Sequence, residues 1–179
     1  MYQLMWQRML FTQFGVDLES VTLIVSVFMF GLGLGGLWGG MLADKWLTKL
    51  LRLYVLIEVG IALFGFASPD LIDYIGVVFF SSHKWVTAFV CFFILAVPTI
   101  LMGATFPILV THVNRFVHNI GQSVGGLYCA NTLGGAAGAF CAGFVLLTYY
   151  DLAQVIYGAA IINLLIAATA YVFYSRQIT

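Results

Sequence analysis

Charge is scarce in this sequence: seven Lys and Arg and seven Asp and Glu stand among 179 residues, 8% of the chain. Soluble domains carry about 25% charged residues. A chain that is 63% hydrophobic, with mean hydropathy +1.05, has too little polar surface to face water on all sides. That excludes a soluble globular protein and leaves an integral membrane protein whose first partner is the lipid bilayer. Formal net charge is zero, so nothing points to nucleic acid or an acidic molecule, and no nucleic acid is expected as a partner. Cysteine is equally sparse. Cys91, Cys129 and Cys141 all sit in apolar runs, which reads as small packing residues without a disulfide framework or metal spacing. His83, His112 and His118 have no companions at metal-ligand spacing. No metal, no cofactor and no catalytic residue is expected, because no nucleophile stands near a base. The start, MYQLMWQRML, lacks the basic region and cleavage site of a signal peptide.

What the chain has in abundance is apolar helix. Five runs are long enough for the roughly 20 residues that a bilayer demands: about 21–43, 51–67, 85–110, 125–147 and 153–174. Residues 1–14 are too short to cross and read either as an interfacial helix or as the last half of a spanning one. Ser20 is placed as a helix cap after the acidic turn Asp17–Glu19. Ser68-Pro69-Asp70 is expected to end the second span, leaving 71–82 along the surface. Pro98 and Pro107 are expected to kink the third, with Thr105 satisfying a freed carbonyl. The whole of 1–179 is therefore one transmembrane domain: an all-α bundle of five full spans and a partial first helix.

Two stripes of small residues organise it. Gly31, Gly35 and Gly39 fall on one helical face, and Gly134, Gly138 and Ala142 on another. Missing side chains let a second backbone approach, so both stripes are expected to be helix contacts. Basic residues set the orientation. Lys45, Lys49, Arg52, Arg115 and Arg176 lie at alternate turns, which puts the 111–121 loop and the C-terminus in the cytoplasm.

Ionisable groups at membrane depth are functional candidates. Glu58 lies inside the second span, where it is a cation or proton site or half of a structural ion pair with Arg8. Asn131, Tyr128 and Thr132 form a polar cluster on the fourth span, either contacting substrate or hydrogen-bonding a neighbouring helix.

Gly40-Met-Leu-Ala-Asp44-Lys45 resembles the start of the signature loop of the major facilitator superfamily, although the second half of that loop is absent. More of the chain resembles the membrane domain of bacterial spermidine-synthase-like proteins. The matching segments are Trp6-Gln7-Arg8, Gly31–Asp44, Leu56-Ile57-Glu58, Leu101–Pro107 and Gly126–Gly134. The resemblance implies one six-helix half of a major facilitator fold in a bacterial inner membrane, with Trp6-Gln7-Arg8 near the end of a first transmembrane helix. Such relatives carry an aminopropyltransferase domain after the membrane part, and no such domain follows before Thr179, so aminopropyl transfer is not expected of this chain. Two readings result. One is a half-transporter for polyamines or other small cations, forming a homo-oligomer through its glycine stripes. The other is a non-catalytic subunit that packs on a larger membrane complex or anchors a separate enzyme.

Overall fold

The structure is a computed structural model that describes residues 1–14, 17–78 and 84–176. Every regular element among them is helical: α1 (Tyr2–Phe14), α2 (Asp17–Lys45), a 3-10 turn (Leu47–Lys49), α3 (Leu50–Val78), α4 (Lys84–Val117), α5 (Ile120–Phe140), a π-helical segment (Cys141–Leu146), α6 (Leu147–Tyr149) and α7 (Leu152–Arg176). Five helical stretches of 24 to 33 residues are long and apolar enough to cross a membrane. Their outer faces carry Met29, Leu37, Leu56, Leu63, Phe89 and Leu165, all exposed, as hydrocarbon-facing helices require.

α2 and α4 form the closest pair in the bundle. A Cβ on Gly39 would lie 2.6 Å from the Ala104 Cα, and one on Gly35 2.9 Å from the Gly103 Cα. The fit is reciprocal, since a Cβ on Gly103 would lie 2.8 Å from the Leu32 Cα. Gly31 is filled by the Thr99 side chain. Thr99 is fully buried, its hydroxyl 2.9 Å from the Leu95 carbonyl, 3.0 Å from that of Ala96 and 3.4 Å from that of Val27 across the seam. Gly31, Gly35 and Gly39 thus meet a helix of their own chain, which corrects their assignment to a contact between copies. Gly33, Gly36 and Gly40 face away with nothing near.

The proline at 69 does not end the second span. α3 runs through it, because the Ser68 hydroxyl donates to the Gly65 carbonyl at 3.0 Å, the acceptor that an N–H at 69 would have used. The buried face continues across the break in one register: Ile57, Ile61, Gly65, Ser68, Ile72 and Ile75. The surface stretch expected over 71–82 is therefore helix as far as Val78, and 79–82 with His83 lie outside the described residues. α4 likewise continues past the expected loop start, so His112 and Arg115 sit on its last turns, with His112 edge-on to Phe116. Thr105 bonds the Met102 carbonyl at 2.7 Å, one residue away from the Gly103 carbonyl that Pro107 frees. Ser20 is buried inside α2 rather than capping it. The true cap signal is Asn119, whose side chain accepts from the Gln122 amide at 3.1 Å after His118 closes α4 at φ 54°.

α1 is embedded among α2, α3 and α7. Met5 and Trp6 are fully buried, and Trp6 packs its ring near Tyr2, Phe28 and Phe64 at centroid distances of 5.2, 6.0 and 5.8 Å. The Trp6 indole donates to the Ser68 hydroxyl at 2.9 Å. That bond fastens α1 to the proline turn of α3. A purely interfacial helix does not fit this burial.

Candidate functional site

Three places in the bundle gather polar groups, and the structure keeps them apart. The first is internal. Glu58 is 7% exposed, and Tyr54, one turn earlier on α3, lies beside it. Tyr2 of α1 is near enough to feel the Glu58 charge, and its hydroxyl lies over Gly65, where a Cβ would come within 2.6 Å of it. Among the described residues that hydroxyl has no hydrogen-bond partner. Tyr54 and Tyr2 escaped the sequence reading, although the four-residue spacing of Tyr54 and Glu58 was a usable signal.

The second is a groove of about 610 Å³ between α1 and the turn leading into α7. Gln7, Arg8 and Thr12 line one wall, and Tyr150 and Asp151 the other. Arg8 is exposed here, on the side of α1 away from the buried Trp6. It forms no ion pair with Glu58, which sits inside the bundle beside Tyr54. The expected Arg8–Glu58 pair is absent because the helix carrying Arg8 turns that residue outward while turning Trp6 in.

The third is the outer face of α5. Tyr128 is 63% exposed, and Asn131, Thr132 and Gly134 are exposed with it. Nothing approaches Gly134 or Gly135, and a Cβ on Gly138 would meet only the Met1 side chain, at an ordinary 3.6 Å. Gly134 and Gly138 are therefore not a packing seam within the chain, and Asn131 bonds no neighbouring helix. Cys129 and Cys141 are exposed on this helix instead of packed, and Cys91 alone is buried. Because α5 lies against α4 while Glu58 sits on α3, Asn131 and Tyr128 do not converge with Glu58 into one site.

The two ends of the bundle are marked by different chemistry. The Arg52 guanidinium stands 5.2 Å from the Tyr174 ring, so the start of α3 and the end of α7 share one end. Trp85, Tyr149 and Tyr150 are exposed, as aromatic residues at a membrane interface are. Searches against protein-family models, curated proteins and solved structures found no match to this chain.

Proposed function

We propose that the chain is one half of a two-part membrane carrier, with a second copy covering the outer face of α5 and the solute path running between them. The observation that carries this reading is the open stripe Tyr128–Asn131–Gly134. Polar and small side chains sit uncovered in the middle of a spanning helix, where hydrocarbon would leave the amide and phenol unsatisfied. Carriers built from parallel repeats place their site at such a repeat interface. Asn131 and Tyr128 then contact the solute, a small cationic amine or similar polar molecule, and Glu58 has a structural role. The resemblance to half of a major facilitator fold supports the same reading. So does the basic-residue pattern, which puts Asp44, Arg115 and the C-terminus on the cytoplasmic side.

A second reading, a non-transporting subunit of a larger membrane assembly, is favoured by the enclosure of Glu58, since no carboxylate then faces the path. One experiment separates them. In a Cys141→Ser background, a bifunctional thiol crosslinker applied to membranes is expected to join two copies through Cys129, and the further change Cys129→Ser abolishes the product. Purified protein in vesicles is then expected to accumulate a labelled amine, with Asn131→Leu losing uptake. A crosslinked dimer that moves no solute leaves the subunit reading, and no crosslink at all removes the second copy.

A further inference from the structure

The groove between α1 and α7 has a chemistry of its own. It holds a guanidinium, Arg8, and a carboxylate, Asp151, in one cavity of about 610 Å³, a volume typical of small-molecule sites. Among the described residues these two groups do not form an ion pair with each other or with a third residue. The Thr12 hydroxyl gives its proton to the Arg8 carbonyl at 2.6 Å, so it can only accept from a ligand. Asp151 is exposed and lines the same groove, and its backbone amide donates to the Gln154 side chain at 3.1 Å. Donors are supplied by Arg8, Gln7 and the Tyr150 phenol. The rest of the lining is apolar: Leu4 and Phe11 from α1, Leu147 and Leu152 from the other wall.

Position in the membrane decides what fits. Asp151 and Tyr150 stand in the turn between two spans, and Arg8 lies six residues, about 9 Å of helix, before the end of α1. A guanidinium at that depth is costly unless it reaches an anion, and the nearest plentiful anions are lipid phosphates. Bidentate geometry suits Arg to a phosphate. A carboxylate beside it repels a purely anionic headgroup but attracts one that ends in an ammonium.

We propose that this groove binds a zwitterionic phospholipid with a primary-amine headgroup, phosphate on Arg8 and ammonium on Asp151. The acyl chains descend along Leu4, Phe11, Leu147 and Leu152. The lipid then adds a bridge between the outward face of α1 and the turn before α7. This site is independent of the α5 face and stands whether or not the chain transports.

Native mass spectrometry of the full chain in mild detergent tests it, with phosphatidylethanolamine, phosphatidylcholine, phosphatidylglycerol and inorganic phosphate as probes. Phosphatidylethanolamine is expected to be retained best. Arg8→Gln weakens it at least about tenfold, as loss of a charge-assisted contact does, while Arg8→Lys keeps part of the binding. Asp151→Asn removes the preference over phosphatidylglycerol without abolishing lipid binding, and serves where Arg8→Gln does not fold. Equal retention of phosphatidylethanolamine and phosphatidylglycerol by the parent overturns the proposal. So does full competition by inorganic phosphate, or lipid binding unchanged in both Arg8→Gln and Asp151→Asn.

Discussion

α2 and α5 carry the same pattern of small residues four apart, and the structure treats them in opposite ways. On α2 the stripe is closed by Gly103 and Ala104 of α4 at backbone contact. On α5 the stripe is open through Gly134 and Gly135, and touches only the tips of Met1 and Leu4 at Gly138 and Gly143. Only 6% of the α5 span is buried, against 28% to 39% in the other four. A stripe of glycines is thus a capacity for close approach. Whether it is used depends on a complementary surface, which α4 offers to α2 through Gly103 and Ala104.

Substitutions can break that contrast, the largest effect coming first. Gly35→Leu places a side chain against the Ile100 carbonyl and the Ala104 amide, where backbone has no room to yield. Overpacking of roughly 3 kcal/mol or more follows, since costs of about 1–3 kcal/mol are typical where neighbours can shift. Thermal unfolding in detergent should show a clear drop, and an unchanged midpoint would dissolve the α2–α4 seam.

Next comes the bond that fastens α1 at the proline turn. Ser68→Ala orphans the fully buried Trp6 indole N–H and the Gly65 carbonyl together, a loss of about 1–3 kcal/mol. Paired with Trp6→Phe in a double-mutant cycle, the two changes should be less than additive. Strict additivity would show that the two groups do not act through each other.

The smallest effect sharpens the contrast from the other side. A Cβ on Gly134 meets nothing within 4 Å and the position is exposed, so the isolated monomer of Gly134→Leu should unfold within about 0.5 kcal/mol of the parent, as surface changes do. The same substitution should abolish crosslinking through Cys129. A monomer as damaged by Gly134→Leu as by Gly35→Leu would mean that α5 is packed after all.

Much of the architecture was legible because hydrocarbon permits few solutions. The all-helical bundle follows from composition, and the number of spans from the lengths and positions of the apolar runs. The fate of Pro69 was not legible locally, since the hydroxyl that repairs the ladder belongs to the residue before it and works only when the helix is held on both sides. The continuing face from Ile57 to Ile75 was the available sign. The candidate site was legible only in its parts. Glu58, Arg8, Asn131 and Tyr128 were each marked as polar groups in apolar runs, yet their grouping was mistaken. Separation along a helix says nothing about which way that helix is rotated.

Sequence by itself determined that this chain is helical and apolar enough to cross a membrane five times, because unsatisfied backbone is too costly in lipid for any open alternative. It also determined where glycine would let helices come close. Tertiary structure alone decided that α2 uses its stripe on α4 while α5 leaves its own uncovered. It alone turned Trp6 inward to Ser68 and Arg8 outward to Asp151's groove, because rotation about a helix axis is chosen by the packing of every neighbour at once.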